Sequence, residues 1–339
     1  MKTGYLQTIE IPSENEIIIK DQIYGDHRIT EPVLIELLQC PELTRLRGVC
    51  QHGITGLLGL SPTETRYEHS VGAFLLVRKV GGSLEEQVAG LLHDISHTTL
   101  SHVMDWALSK PGESFHEVHK ERYIRTTQLP QILTRHGIDL DVFNEELYPL
   151  VERPSPRLCA DRLDYALRDT LIFGKLSLVE VRGVFDSLTA FPSENSPDRL
   201  LTLSDPKLAL SLARAYIAVD REVWCNEAHV DMYRQTGQLI GDMVRRGVIE
   251  EEVVWKLSDQ DFWQLLRSKA DQKGREVMDR LESGVSSDKD LRLPRAAKIR
   301  TIDPDIFFTD ICPLPLSAVF PEWASERQEY ISSRQALLE

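Results

Sequence analysis

The adjacent pair His93-Asp94 closes an apolar helical run, preceded by His69 and followed much later by Asp161. Two imidazoles and two carboxylates form a mixed nitrogen and oxygen donor set of the kind that holds a borderline divalent ion such as Fe, Mn, Ni, Co or Zn. An ion of this type polarises a phosphoryl oxygen and acidifies water, so the chemistry it points to is hydrolysis. With these protein ligands, substrate can enter only if coordination expands to roughly five or six, which favours Fe, Mn, Ni or Co over a closed tetrahedral zinc. Mg is admissible as a companion of an anionic substrate, since it prefers phosphate oxygens and water. Five of the ten histidines lie between His93 and His119, a density that scattered structural histidines seldom produce. A lone histidine such as His27, His52 or His136 reads more simply as a hydrogen-bonded or surface residue.

These side chains need helices to bring them together. Ser70 to Val80 and Leu84 to Ser96 read as two apolar helices separated by the Gly81-Gly82 break. Helical spacing would put His93 and His97 on one face, with Asp94 about 100° round. His69 then comes from the preceding antiparallel helix and Asp161 from a third, running from Cys159 to Ile172 after the Pro154-Ser155-Pro156 stop, so that the ion clamps three helices. Upstream, Glu16 to Lys20 is a β-branched strand candidate followed by the turn-prone Tyr24-Gly25-Asp26. Thr30-Glu31-Pro32 opens a helix that ends before Pro41, and another begins near Glu42. Downstream, 129–137 and 145–151 read as short helices, 195–198 as a loop and 205–245 as a long helical reach. Past residue 250 the chain is more charged, with a polar loop at 283–290 and a strand or two within 300–308. The expectation is a mainly α helical bundle over 1–245 with an α+β extension over 246–339, and short strands confined to the N-terminus and the C-terminal region.

A chain of 339 residues with 42% apolar content can bury a sizeable core. The formal charge of -14 argues against a broad basic face for duplex nucleic acid or an anionic membrane. The five cysteines are widely spaced, with no C-x-x-C pair, so neither a disulfide framework nor a cysteine zinc cluster is expected. A reducing compartment, by default the cytoplasm, fits that usage, and neither a leader nor a membrane span is read from the sequence. Trp255, Trp263 and Trp323 read as packing or interface residues, and the apolar stretch from Leu208 to Ile217 as core or self-contact.

Several motifs follow one another in order. They are Thr44-Arg45-Leu46-Arg47 with Gln51-His52-Gly53, then Arg66-Tyr67-Glu68-His69-Ser70, then His93-Asp94-Ile95-Ser96-His97 through Ser101-His102. Phe115-His116-Glu117 comes next, and finally Asp161-Arg162-Leu163-Asp164-Tyr165-Ala166-Leu167-Arg168-Asp169. In this order they resemble the HD-domain metal-dependent phosphohydrolase superfamily. More narrowly they resemble the deoxynucleoside triphosphate triphosphohydrolases, which include the SAM-and-HD-domain proteins and bacterial dGTPases. The resemblance spans roughly residues 16 to 245.

The resemblance implies that His69, His93, Asp94 and Asp161 are the metal ligands. It implies that Arg66 faces the nucleotide, Arg162 and Tyr165 the phosphates, Asp169 the sugar, and Gln51 the sugar 3′-hydroxyl. His97, on the ligand face, is placed with the substrate-binding residues. It further implies a catalytic acid at His116, paired with Asp105 and assisted by His102. Phosphate ester cleavage releases a poor alkoxide leaving group, and a histidine whose pKa a carboxylate raises is suited to protonate it. Two positions depart from the pattern. His52 stands where the triphosphohydrolases carry an apolar residue, and Arg221 is followed eight residues later by His229 rather than by a base-stacking tyrosine.

The activity implied is hydrolysis of deoxynucleoside triphosphates to deoxynucleoside and triphosphate, by a homo-oligomer acting on a small-molecule nucleotide or phosphoester. A nucleotidase or phosphodiesterase using the same ion, and a nucleotide-binding scaffold without turnover, are the competing readings. Intact His102, Asp105 and His116 count against the scaffold. No separate SAM-like domain is read before residue 16, so activation by nucleotide is not implied.

Overall fold

The protein is described by a computed structural model covering residues 6–338, apart from 63, 197–198, 285–290, 296 and 310. Pro197 and Asp198 of the expected loop, and most of the expected polar segment at 283–290, lie outside the described residues. The fold is mainly α, as expected, with two small sheets among the described residues.

Three strands, β1 (Gln7–Ser13), β2 (Glu16–Asp21) and β3 (Gly25–Ile29), form an antiparallel meander. Along β2 the side chains of Ile17, Ile19 and Asp21 all face inward and are buried, the period of two expected of a strand with one covered face. Asp21 turns the chain into β3 by accepting the amides of Ile23 (2.8 Å) and Tyr24 (3.1 Å). The sequence pattern locates β2 and leads one to expect further short strands at the N-terminus without locating them.

Helix α1 (Arg66–Lys79) starts at a capping box, in which Thr65 and Glu68 satisfy each other's backbone amides. Its residues 66–77 are all buried, so it is the central helix of the bundle, apolar or paired on every side. Helix α2 (Leu84–Leu92) opens at a second capping box, Ser83 and Glu86, after the Gly81-Gly82 break, and packs against α1. α2 is shorter than the sequence suggests. It stops at Leu92, and His93–Ser96 form a turn rather than a continued helix, so His93 and His97 do not share a helical face. The chain is pulled aside by contacts beyond it. Leu100 (φ 57°) and Ser101 (φ 50°) take the left-handed conformation, held by a hydrogen bond that the Leu100 amide donates to the Asp259 carboxylate (2.7 Å) and by one that the Ser101 hydroxyl donates to the Cys50 carbonyl (2.6 Å).

Helix α3 (Val103–Leu108) follows, and α4 (Ala160–Ile172) crosses α1. Strands β4 (Leu188–Phe191) and β5 (Leu200–Leu203) lie in a region where no strand was expected. They pair with β6 (Asp305–Phe308) and β7 (Ile311–Pro315) in the order β4-β5-β6-β7, with only the β5 and β6 pairing parallel. The long helical reach expected over 205–245 is interrupted. Helix α5 (Pro206–Val219) runs into a wide π turn at Asp220–Trp224, and α6 (Glu227–Arg245) restarts with Asn226 capping the amides of Ala228 and His229. The buried Asp220 carboxylate is drawn away from the helix axis by the Arg300 amide (3.0 Å) and the Tyr330 hydroxyl (2.8 Å).

The C-terminal extension is interlocked with the bundle. From α7 (Asp259–Lys269), Asp259 inserts its carboxylate under the His97–Ser101 loop and accepts the amides of Cys50 (2.8 Å) and Leu100 as well as the Thr99 hydroxyl (3.1 Å). The Trp255 indole donates to the Ser96 carbonyl (3.0 Å). Trp255, Trp263 and Trp323 are buried, in keeping with a packing role, the last of them on α8 (Pro321–Gln335). The five cysteines are free, and no helix of the described residues is long and apolar enough to cross a membrane.

Candidate metal centre and adjoining cavity

Helix α1 supplies His69, the turn that follows α2 supplies His93 and Asp94, and the first turn of α4 supplies Asp161. These four converge as the sequence suggests. His69 Nε2 lies 3.1 Å from His93 Nε2, 3.0 Å from Asp161 Oδ1 and 3.7 Å from Asp94 Oδ2. His93 Nε2 lies 3.5 Å from Asp161 Oδ1 and 3.7 Å from Asp94 Oδ1. Donors about 2.1 Å from a shared ion and at right angles to each other stand about 3 Å apart, so the cluster has the dimensions of a coordination shell.

The hydrogen bonds around it provide a chemical test. His93 Nδ1 faces the Gly90 carbonyl at 2.8 Å, and a carbonyl can only accept, so the proton of the neutral ring sits on Nδ1. His69 Nδ1 likewise faces Asp164 Oδ2 at 2.8 Å. Both Nε2 atoms therefore turn lone pairs toward each other and toward two carboxylates. That arrangement fits a cation placed among them and is repulsive without one. Asp94 and Asp161 are held well below the usual carboxylate range. Burial opposes this, but the nearby positive charge, Arg66 foremost on Asp94, outweighs it.

Next to the cluster opens a cavity of about 380 Å³, within the usual size range of small-molecule sites. Its wall carries Trp106, Tyr165, Trp224, His229 and Tyr233, with Gln51, His52 and Asp169 on one side and His102 and Asp105 on another. Arg66, Lys110, Lys298 and Arg300 are its cations. Arg66 belongs to both regions, since it lines the cavity, donates through its Nε to Ser101 (2.8 Å) and pairs with Asp94. The π turn aims Trp224 into the space, where its indole donates to Asp169 Oδ2 (2.7 Å) and its ring meets Tyr165 edge-on.

The other expected site residues divide. Gln51 lines the cavity with a buried side-chain oxygen that has no hydrogen-bond partner. Tyr165 lines it too, its hydroxyl tied to that of Tyr216 at 2.6 Å. Asp169 is present, but both oxygens are engaged, one by Trp224 and the other by His52 Nε2 at 3.0 Å. Arg162 points elsewhere, donating to the carbonyls of Arg153 (3.0 Å) and Arg157 (2.6 Å), because α4 begins directly beneath that loop. Arg221 lies outside the cavity wall with its guanidinium over the Tyr330 ring.

The expected pairing of His116 with Asp105 is not made. Asp105 receives His102 Nδ1 (2.9 Å) and the Phe115 amide (2.7 Å), and these bonds outweigh burial to hold its carboxyl below the ordinary range. His116 bonds the Ser114 hydroxyl through Nδ1 (2.9 Å) and stacks on His97 with ring centroids 3.5 Å apart. Burial, reinforced by the neighbouring His102, pushes His116 well below the usual histidine value. His97 is pushed down in the same way, by burial first and then by Arg66, and neither of its ring nitrogens is hydrogen-bonded. Of His97, His102 and His116, it is thus the partly exposed His102 that lines the cavity.

Several contributors escaped the sequence reading. Trp224 and Tyr233 lie within or beside the stretch from Arg221 to His229 that was weighed for base stacking. Lys298 and Arg300 come from a segment with no motif of its own, and Asp164 sits inside a quoted motif without an assigned role.

The helical bundle and its histidine and aspartate cluster define a class, and comparison with known proteins agrees. The HD domain family matches residues 66–157. A metal-dependent phosphohydrolase of Cordyceps militaris, cns2, is 57% identical over 334 residues, covering 98% of this chain and 97% of that protein. The chain belongs to the HD-domain family of metal-dependent phosphohydrolases. The deoxynucleoside triphosphate triphosphohydrolase SAMHD1 of Danio rerio is 27% identical over 154 residues, covering 39% of this chain and only 25% of that protein. Among solved structures, a phosphohydrolase of Bacteroides thetaiotaomicron shares the fold, with a TM-score of 0.65 at 19% identity, covering 89% of this chain and 94% of that one.

Proposed function

We propose that the protein hydrolyses a phosphate ester of a nucleotide. His69, His93, Asp94 and Asp161 hold one divalent ion of the Fe, Mn, Ni, Co or Zn group, with Mg admissible on the substrate. When bound, such an ion supplies Lewis acidity toward the phosphoryl group and acidifies water. The aromatic wall of Trp106, Tyr165, Trp224 and Tyr233 accepts the base, Gln51 offers its free acceptor to a substrate hydroxyl or amine, and Arg66 presents the phosphate to the cluster. His102, oriented by Asp105, donates a proton to the leaving oxygen as the P–O bond breaks. His116 stands behind it with His97. The observation that carries this reading is a single cavity that reaches from an aromatic wall to Arg66 and the His102–Asp105 pair, beside a cluster of inward-facing imidazole lone pairs.

Two finer readings concern the phosphate chain. The resemblance and the distant SAMHD1 match favour a deoxynucleoside triphosphate. Arg162 and Arg221, both expected to bind substrate, turn away from the cavity, which leaves Arg66, Lys110, Lys298 and Arg300 to meet the phosphates and favours a shorter chain, as in a nucleotidase or phosphodiesterase. We place the shorter chain first. Chromatography of products from deoxynucleoside and ribonucleoside triphosphates, monophosphates and diesters decides. Release of intact triphosphate establishes the triphosphohydrolase, and release of inorganic phosphate or a monophosphate establishes the shorter chain. Binding without turnover would leave the scaffold reading. Free cysteines and the family resemblance extend the proposal to a cytoplasmic homo-oligomer, which fractionation and light scattering check.

A further inference from the structure

We propose that the N-terminal sheet is a working part of the metal centre, with Tyr24 and Asp21 as positioning residues that act on His69 through Asp164. This rests on the reading of His69 as a metal ligand.

The Asp164 carboxylate is fully buried between α1 and α4 and divides its bonds. Oδ2 meets His69 Nδ1 at 2.8 Å, and Oδ1 accepts the Tyr24 hydroxyl at 2.7 Å. Arg168, one turn further along α4, donates Nε to both oxygens at 3.0 Å. Its other end is fixed by the sheet, since Arg168 Nη2 donates to Asp21 Oδ2 at 2.8 Å. Asp21 in turn is oriented by the amides of Ile23 and Tyr24, so one turn after β2 holds both the residue that bonds Asp164 and the residue that anchors its counter-ion. All of these side chains are at most 4% exposed. Water cannot replace a lost partner there.

A second observation points to the same carboxylate. Gly72, one turn after His69 on α1, faces it so closely that a Cβ would lie 1.8 Å from Asp164 Oδ1 and 2.6 Å from Arg168 Nη2. The φ of Gly72 needs no left-handed freedom, so the glycine serves close approach alone. The helix that carries the ligand leaves room for the carboxylate that orients it.

Orientation matters because a ligating imidazole must keep its proton on Nδ1 and its lone pair on Nε2. Outer-shell partners that fix this change metal affinity by about 10–100-fold when removed. The Tyr24 hydroxyl pins one carboxylate oxygen, leaving the other aimed at His69. The Asp21–Arg168 pair prevents the charge of Asp164 from being left uncompensated in the core.

The test is titration of the chelator-stripped full-length protein with Co(II) alone, read by its visible absorption and by thermal midpoints with and without the ion. Tyr24→Phe and Gly72→Ala are expected to weaken Co(II) binding about 10–100-fold and to alter the band shape, and Asp164→Asn to do so at least as strongly. In Tyr24→Phe the gap between loaded and metal-free midpoints shrinks, over and above the fall that the lost buried hydrogen bond brings to both. A purely structural role would lower both midpoints together and leave the gap intact. Parental Co(II) affinity in Tyr24→Phe overturns the proposal, whatever Gly72→Ala does. Should Tyr24→Phe fail to fold, Asp21→Asn is read by the same criterion. Absence of Co(II) binding in the parent protein is a different failure, which removes the metal centre itself.

Discussion

The two sides of Arg66 are satisfied differently. On the metal side, His69 and His93 each have the outer nitrogen fixed by a buried acceptor, and Asp164 is held from behind by Tyr24 and by Arg168, which Asp21 anchors, although Arg168 Nη1 itself has no hydrogen-bond partner. On the cavity side, Gln51 keeps a buried oxygen without a partner, and in the histidine stack behind that wall His97 has neither nitrogen hydrogen-bonded. Buried polar groups are normally paired, and an unpaired acceptor on a cavity wall, as Gln51 has, is available to a ligand. One half is preorganised and the other is left incomplete for a ligand. On the proposed function, rigid positioning of an ion and adaptable reception of a substrate would thus be separated across a single arginine.

The largest expected effect lies on the metal side. Asp94→Ala should abolish bound metal and lower kcat/KM by at least about a thousandfold, several kcal/mol of transition-state stabilisation. Retained activity in a metal-free variant would erase the contrast between the two halves. His102→Ala should lower kcat about 10²–10³-fold with metal content unchanged, and more than His116→Ala does. The reverse order would return the acid to His116, as the resemblance implies.

Asp259 probes the seam between the halves. Asp259→Ala strands the buried amides of Cys50 and Leu100, with an expected cost of about 2–4 kcal/mol in unfolding free energy. Burial pushes the Asp259 carboxyl up to about 6 from an ordinary 3.8. Between those values the folded protein keeps a proton that the unfolded chain has lost, so this group's contribution to stability grows as pH falls from about 6 to about 4. Denaturant unfolding should therefore show a pH-dependent gain of up to about 3 kcal/mol in the parent that Asp259→Asn lacks. A gain of equal size in both would assign the titration elsewhere.

Smaller effects sharpen the picture of the cavity. Trp224→Ala should raise KM by about 1–3 kcal/mol in equivalent binding energy, the usual worth of an aromatic stacked on a base, with kcat less affected. Arg221→Ala should leave both constants within about twofold. A large rise in KM for Arg221→Ala would instead favour the longer phosphate chain.

The metal half was legible because its ligands announce themselves locally. His93 and Asp94 are adjacent, His69 follows a capping box, and Asp161 stands at a helix start, so residue type and helical period were enough to group them. Helix α2 ends at Leu92, and the loop beyond it is held at Thr99 and Leu100 by Asp259, a partner far along the chain that the local pattern does not contain. The same limit hid most of the cavity. Trp224 is aimed inward by a π turn that depends on Arg300 and Tyr330 holding Asp220, while Lys298 and Arg300 come from a segment without helix or strand. The resemblance identified Asp105 and His102 but paired Asp105 with His116. Only the fold shows that its carboxylate turns to His102 and the Phe115 amide. Asp164 has no role in the motif reading because, Arg168 apart, the groups that meet it, Tyr24, His69 and Gly72, lie far from it in sequence.

The measurement that bears most directly on the account is metal analysis of the purified protein beside Asp94→Ala and His93→Ala, with phosphoester hydrolysis assayed on the same samples. The account predicts about one divalent transition ion per chain in the parent, near absence in both variants, and loss of hydrolysis that tracks loss of metal. Hydrolysis that persists unchanged in a chelator-stripped parent carrying no ion would contradict it.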